Sequence, residues 1–159
     1  MTILIIILAV VLIMGSALWV LPSARQRQQM AMRRAAMAKG MQVKITRIKD
    51  LEYPGEEMPC IAYRLPRQRV NDPSHHEWML YRHSEADPEL HIPGWLYDRE
   101  KGRHRFSDGG AIAKILLRLP SDVKAVQATA GAVSIYWDER GDIQDLDTIL
   151  QVLKELQSC

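Results

Sequence analysis

The hydrophobic positions divide the chain into one long apolar run at its start and a series of short periodic segments after it. From Ile3 to Leu21 no side chain is charged. A helix of that length extends roughly 28 Å, close to the ~30 Å hydrocarbon thickness of a bilayer. The run therefore predicts a transmembrane anchor over residues 1–22.

Two other interpretations of this run stay open. A cleaved signal peptide begins with positive charge and has a shorter apolar core. Here only Met1 and Thr2 precede the run, although Pro22-Ser23-Ala24 loosely resembles a cleavage site. A helix buried in a protein core is the second alternative.

The charges around the run predict its orientation. No Lys or Arg precedes it, and the membrane-proximal basic residues that follow it are Arg25, Arg27, Arg33, Arg34 and Lys39. Because Lys and Arg near a span stay on the cytoplasmic side, we expect an N-terminus outside a bacterial-type inner (plasma) membrane. The rest of the chain would then be cytoplasmic.

Residues 23–40 predict a basic juxtamembrane helix. The segment is rich in Ala, Gln, Met and Arg, which favour helices, and Gly40 is a typical end. One interpretation places this helix on the cytoplasmic leaflet, attracted to anionic headgroups. The other is a solvated linker helix.

Residues 41–159 predict one α+β domain. Alternating positions predict strands at 41–48, 60–65, 77–82, 94–97, 123–129 and 132–137. Helical spacing predicts helices at 111–118 and from 142 to the end. Strands followed by a helix, two strands and a closing helix favour a small, curved antiparallel sheet packed on one face with two helices.

The same patterns predict which side chains face the core. In the first strand these are Val43, Ile45 and Ile48, and in the last strand Val133, Ile135 and Trp137, alternating with Ser134 and Tyr136. The closing helix presents an apolar stripe of Ile143, Leu146, Ile149, Leu150, Leu153 and Leu156. Cys60 is interpreted as a small core residue and Cys159 as a terminal residue without a role.

Charge is distributed unevenly along the chain. Residues 1–70 carry eleven Lys and Arg against four Asp and Glu, whereas residues 71–159 carry ten against fifteen. The positive part is the part next to the predicted anchor. This asymmetry favours contact with anionic membrane lipid.

No residue set predicts a catalytic centre, and we expect no enzyme activity, no metal and no cofactor. Four of the five histidines lie within residues 75–91 beside several acids, but His75 and His76 would point to opposite faces of a strand. Ser74-His75 and His83-Ser84 are neighbours in sequence only. A metal-dependent enzyme using the 75–91 region remains a less favoured alternative.

A loop of aromatic and basic residues predicts a ligand or partner surface. Its members are Trp95, Tyr97, Arg99, Arg103 and Arg105. Such mixtures can stack on bases and contact phosphates, but Asp98, Glu100 and Asp108 dilute the charge, so we expect no nucleic-acid partner. The loop would instead bind a small ligand or a lipid headgroup. A solvated turn with its aromatic side chains packed below it is the alternative.

The chain up to Thr46 resembles the YajC-type accessory subunit of the Sec preprotein translocase. The matching pieces are Pro22 after the span, Arg25-Gln26-Arg27-Gln28-Gln29, Lys39-Gly40, and Val43-Lys44-Ile45-Thr46. The resemblance covers less than a third of the chain. It implies the topology alone: an outward N-terminus, one span and a basic helix leading to a strand.

Together these features predict a single-pass inner-membrane protein. Its cytoplasmic domain would act without catalysis as an accessory or adaptor subunit of a membrane complex. The alternative is a membrane-tethered domain that binds a small ligand or lipid headgroup. The expected partners are membrane lipid and another membrane protein.

Overall fold

The computed structural model describes residues 2–7, 10–11, 23–68, 76–84, 92–100 and 109–158. The chain divides into two compact units, residues 1–31 and 32–159. Residues 2–7 and 10–11 are helical, and the rest of the predicted anchor, residues 8–9 and 12–22, lies outside the described residues. Within the described ranges, no helix combines the length and the apolar character needed to cross a bilayer.

Three helices and six strands follow from residue 24 onward. The helices are α1 (Ala24–Ala38), α2 (Gly109–Leu116) and α3 (Ile143–Gln157). The strands are β1 (Gln42–Lys49), β2 (Glu57–Pro66), β3 (Trp78–Arg82), β4 (Trp95–Tyr97), β5 (Val123–Thr129) and β6 (Ala132–Trp137). These elements confirm the predicted α+β class and each predicted strand and helix of the domain.

The six strands form one antiparallel sheet in the order β1-β2-β6-β5-β3-β4. The pairing of β1 with β2 runs without interruption from Gln42 opposite Arg64 to Lys49 opposite Glu57. The seven residues between these strands turn at Gly55, whose φ of 95° is one that glycine adopts without strain. β1 and β4 are thus the two edge strands.

The sheet is strongly curved. If it were flat, β1 and β4 would lie about 24 Å apart, because neighbouring strands are ~4.8 Å apart. Instead, the Lys49 amino group forms an ion pair with Glu100, just after β4, and lies 4.0 Å from the Asp98 carboxylate. The curvature therefore brings the end of β1 back over one face of the sheet, which we call the concave face.

The opposite, helix-covered face holds the larger hydrophobic core. α3 contributes five buried residues to it: Leu146, Ile149, Val152, Leu153 and Leu156. α2 contributes Ile112 and Leu116. Two helices were predicted on this face, but Met32 and Ala36 of α1 are also fully packed into it. The second half of α1 therefore packs against the domain, which the sequence interpretations of this helix did not include.

Three predictions of side-chain direction are wrong. Ile45 is 79% exposed, because it lies on the edge strand, where no neighbouring strand or helix covers it. All six residues of β6 are buried, Ser134 and Tyr136 included, because the central strand is covered on both faces. Ile143 begins α3 and is exposed, whereas Val152, absent from the predicted stripe, is buried.

Both long helices begin with a capping box, in which side chains satisfy the free backbone amides of the first turn. At α1 the Ser23 hydroxyl accepts from the Gln26 amide, and the Gln26 side chain accepts from the Ser23 amide. At α3 Asp142 and Asp145 exchange the same pair of bonds. A Cβ at Gly141 would occupy the position of the Asp145 carboxylate, so a side chain there would break this cap.

Candidate functional site

The free edge of β1 is the first candidate surface. Within the part of the chain that the structure describes, its eight residues pair only with β2, and five of them are exposed. An unpaired edge presents backbone N–H and C=O groups that can pair with a further strand. Ile45, near the middle of β1, adds an exposed apolar side chain to this edge.

The charges on β1 favour one kind of partner. Lys44 and Arg47 flank Ile45 and are exposed. Among the described residues, neither forms an ion pair with a carboxylate. Lys on an edge strand also discourages like-charged strands from pairing there. The β1 edge is therefore an open pairing surface with uncompensated positive charge.

The concave face is the second candidate surface. A smaller hydrophobic cluster lies on it, formed by Ile48, Cys60, Ala62, Met79, Tyr81, Ala125 and Tyr136, with Leu51 and Met58 packed against it. Within the described ranges no helix residue belongs to this cluster. Its burial comes from the curvature of the sheet and the β1–β2 loop.

A cleft of about 740 Å³ opens at the end of the concave face where β1 and β3 finish and β5 begins. Ile48, Leu51 and Met58 give it an apolar side. Tyr81, Arg82, His83, Ser84, Ser121 and Lys124 line its β3–β5 side. The size is within the ~300–1,000 Å³ typical of ligand sites, which are often found in the mouths of curved sheets.

Two consecutive residues of β3, Tyr81 on the concave face and Arg82 on the helix-covered face, carry polar groups with unusual surroundings. The Tyr81 hydroxyl is buried beside the Lys49 backbone and the Asp98 carboxylate, and in the described part of the chain it forms no hydrogen bond of full geometry. Burial raises its pKa to about 12, so it remains a neutral donor at ordinary pH. A buried hydroxyl without a full hydrogen bond retains part of its desolvation cost.

Arg82 is the second of these groups. Its guanidinium donates to the carbonyl oxygens of Val123 and Pro120, at 2.9 and 3.1 Å, and its Cζ lies 4.8 Å from the centre of the Trp95 ring. Burial lowers its pKa, and no carboxylate in the described ranges lies within ion-pair distance of it. The cation is held by backbone carbonyl oxygens and the Trp95 ring on the helix-covered face, and the nearby Asp122 charge acts on it.

A third feature is a polar cluster that ties α1 to the sheet. The Glu139 carboxylate, 2% exposed as a residue, accepts from Arg33 at 2.8 and 2.5 Å and from the Tyr63 hydroxyl at 2.6 Å. Burial, and then Glu139, raise the pKa of Tyr63, and the bond to Glu139 raises that of Arg33. Glu139 has a φ of 55°, which is uncommon for a residue with a side chain. The cluster holds the second half of α1 against the sheet.

The predicted basic residues therefore differ in their surroundings. Arg25, Arg27 and Arg34 are exposed. Lys39 is exposed and forms an ion pair with Asp147 of α3. Arg33 is directed into the Glu139 cluster, where its guanidinium donates to the carboxylate.

The predicted aromatic surface is wrong for Trp95, which is 2% exposed and belongs to the core of the helix-covered face. Tyr97 is half-buried against that core, and Arg99 is exposed. Arg103 and Arg105 lie outside the described residues. The alternation of Trp95-Leu96-Tyr97 also fits a strand whose two aromatic rings point into the core.

The thiol and imidazole groups do not form a reactive site in the described ranges. Cys60 is buried as predicted, and burial raises its pKa to about 11, which keeps it protonated. No three His, Cys, Asp or Glu residues of the described ranges are placed to hold a metal ion. His75, His91, His104 and Cys159 lie outside those ranges.

Sequence reasoning missed the residues that matter most here. Arg82 was assigned only to a strand, Tyr81 was grouped with the aromatic residues expected mostly to fill the sheet core, and Glu139 was not singled out. A signal existed for Tyr81, since alternation places it opposite Leu80 and hence on the other face. No local signal pairs Glu139 with Arg33, because 106 residues separate them.

Comparison with known proteins assigns no family to the chain. No protein-family model matches the chain, and no curated protein matches it. Among solved structures, the mycobacterial trehalose monomycolate transport factor A, TtfA, aligns with a TM-score of 0.48 at 8% sequence identity. The alignment covers 86% of this chain and 94% of that one.

Proposed function

We propose that this chain is a single-pass inner-membrane protein, with its N-terminus outside, whose cytoplasmic domain is a non-catalytic adaptor subunit. In this proposal the domain holds an extended acidic segment of a membrane-protein partner, which adds as a further strand to the edge of β1. Addition of a strand gives affinity through backbone hydrogen bonds and specificity through side chains. The topology of this proposal is the one that the YajC-type resemblance implies.

The observation that carries the proposal is the pairing and exposure of the edge strand β1. It is a long edge strand paired regularly along its whole length, with Ile45 exposed at its centre. Edge strands in native proteins are usually shortened, bulged or covered, and this one is protected by charge alone. Lys44 and Arg47 repel a basic strand and attract an acidic one.

The state of the ionisable groups supports the non-catalytic part of the proposal. A catalytic acid or base works best with a pKa near the working pH. Among the described residues, every tyrosine or cysteine whose pKa departs from its ordinary value has a raised pKa. The pKa of Cys60 is about 11 and that of Tyr81 is about 12. Such groups stay protonated and unreactive at neutral pH.

Site-specific photo-crosslinking in intact membranes tests the proposal. A photoreactive residue replaces Ile45 in one full-length variant and Leu117, which is also apolar and is 68% exposed, in a matched control. We expect a discrete adduct with a membrane protein from position 45 and none from position 117. Mass spectrometry then identifies the crosslinked segment, which should be acidic.

Charge reversal makes the test sharper. The double change Lys44→Glu and Arg47→Glu should abolish the adduct, whereas Lys114→Glu, an exposed change on α2, should leave it intact. Equal adducts at positions 45 and 117, an adduct that survives the double reversal, or no adduct at position 45 would each contradict the proposal. Substrate turnover by the purified chain would contradict its non-catalytic part.

A further inference from the structure

We propose that β1 selects its partner segment by the order of its residues, because the two exposed cations of this strand lie on opposite faces of the sheet with an apolar residue between them. The segment is the acidic one of the proposed function, on which this inference rests. The positions of the β1 side chains and backbone groups give that segment a required order of residues, a direction and a length.

The side chains of β1 alternate between the two faces of the sheet. Ile48 belongs to the cluster on the concave face, whereas Val43 packs against the core of the helix-covered face. Because neighbouring side chains of a strand point to opposite faces, Lys44 lies on the concave face, and Ile45 and Arg47 lie on the helix-covered face. One acidic residue facing Lys44 and another facing Arg47 must therefore leave opposite faces of the added strand.

The hydrogen-bond pattern of β1 decides which backbone groups are available. Just beyond the last residue pair of the ladder, the Asp50 N–H donates to the Glu56 carbonyl at 2.9 Å. Bonded and non-bonded positions alternate along an antiparallel pair, so every second residue, counted back from Asp50, bonds to β2. The residues between them, Val43, Ile45 and Arg47, direct their N–H and C=O groups to the open edge, where a further strand would bond.

The open part of this edge is short. The Lys49 amino group forms an ion pair with Glu100 and lies 4.0 Å from the Asp98 carboxylate, which joins the end of β1 to the residues after β4. This contact leaves residues 42–47 for an added strand to pair with. About six residues at ~3.4 Å each make a strand of roughly 20 Å, which is a typical strand length.

The middle of the segment should be apolar on the helix-covered face. Ile45 is 79% exposed, and its partner across the β1–β2 pair, Ile61, is half-buried against the larger hydrophobic core. Val43, the next residue of β1 on this face, is half-buried as well. β-branched side chains opposite Ile45 and Val43 would continue this apolar row, and such cross-strand pairs stabilise sheets.

These positions give the segment one order of residues in each direction. All strand pairs of the described sheet are antiparallel, and antiparallel pairing is slightly the more stable kind, so we assign an antiparallel segment. From its N-terminus it has an acidic residue opposite Arg47, any residue, and a β-branched residue opposite Ile45. An acidic residue opposite Lys44, a β-branched residue opposite Val43 and any residue then follow. A parallel segment would need the reverse order.

Peptide binding to the full chain in nanodiscs of zwitterionic lipid tests this order by fluorescence anisotropy. The designed peptide is Glu-Thr-Val-Glu-Val-Thr with a fluorescent label. Two controls have the same composition: the reversed sequence, and Thr-Glu-Val-Glu-Val-Thr, which places both acids on the concave face. We expect the designed peptide to bind and each control to bind roughly fivefold more weakly. Equal binding of the reversed peptide would overturn the direction, and equal binding of the other control would overturn the assignment of the two faces.

Charge exchange locates each acid of the segment. Lys44→Glu should weaken binding of the designed peptide roughly fivefold, because like charges then face each other, and a peptide with Lys in its fourth position should restore it. Arg47→Glu should be restored instead by a peptide with Lys in its first position. Lys114→Glu, an exposed change on α2, is the control and should bind the designed peptide as the natural chain does.

The outcomes separate this inference from the adaptor role. Rescue of either variant by both lysine peptides, or no binding of the designed peptide, would overturn the assigned order. The adaptor role has its own readout, which is the adduct from position 45 in intact membranes. An adduct without position-specific rescue would refute the order and retain the adaptor role, whereas the absence of both adduct and peptide binding would refute both.

Discussion

The two faces of the sheet are buried in different ways. On the helix-covered face, three helices pack a continuous apolar core, and its buried carboxylate Glu139 is paired with Arg33 and Tyr63. On the concave face, a small cluster is sheltered by curvature, and the Tyr81 hydroxyl forms no hydrogen bond of full geometry in the described ranges. The comparison teaches that helices bury one face, whereas curvature alone shelters the other and leaves it next to a cleft.

The largest expected effect tests whether Trp95 belongs to the helix-covered core. Trp95→Ala removes a fully buried ring and the face that Arg82 contacts, so it should lower the free energy of unfolding by about 3–5 kcal/mol. Urea denaturation followed by circular dichroism measures this loss. Arg99→Ala, exposed two residues after β4, is the control and should change it by less than about 0.5 kcal/mol. A loss below about 1 kcal/mol for Trp95→Ala would place the ring on the surface.

The next effect tests the polar cluster of the same face. Arg33→Ala leaves the Glu139 carboxylate buried without its cation and should lower the free energy of unfolding by about 2–3 kcal/mol. This loss is smaller than for breaking a fully buried ion pair, because Arg33 is partly exposed. Arg34→Ala, the neighbouring exposed arginine of α1, should cost less than about 0.5 kcal/mol. Equal losses in the two variants, measured by the same denaturation, would show that Arg33 does not hold α1 to the sheet.

Alkaline pH should act on the concave face through Cys60. Its pKa is raised from 9.0 to about 11 by burial, so the unfolded chain loses this proton at lower pH than the folded chain. Stability is therefore fully present below pH 9 and falls as pH rises towards 11, by on the order of 2 kcal/mol. Cys60→Ala should make the fall between pH 9 and 10 less steep, and the slope that remains comes from Tyr63, Tyr81 and Tyr136, whose pKa is also raised in the folded chain from an ordinary value of 10.0. An unchanged slope in this variant would mean that the thiol is not buried.

The smallest effect separates the two tyrosines of the concave face. Tyr81→Phe removes a hydroxyl without a full hydrogen bond, so the free energy of unfolding should stay the same or rise by up to about 1 kcal/mol. Tyr136→Phe breaks the 2.5 Å bond to Gln127 and should lower it by about 1 kcal/mol. A loss in Tyr81→Phe equal to that in Tyr136→Phe would mean that the Tyr81 hydroxyl is satisfied in solution.

The sequence predicted local structure well and side-chain environment less well. Alternation found every strand, and helical spacing found α2 and α3, because these periods follow from backbone geometry alone. Ile45 and Trp95 were misplaced for a common reason. The same apolar pattern suits an inward or an outward position, and the neighbouring elements decide between them.

What the sequence determined by itself is the order and type of the elements, the charge asymmetry and the apolar run at the start, because each depends on residues close together in the chain. The tertiary structure decided which residues form sites. It paired Arg33 with Glu139 across 106 positions, brought Lys49 to Glu100 by curving the sheet, left β1 at a free edge, and placed Tyr81 and Arg82 beside the cleft. These arrangements come from strand order and curvature, which contacts between distant segments set and local periodicity does not encode.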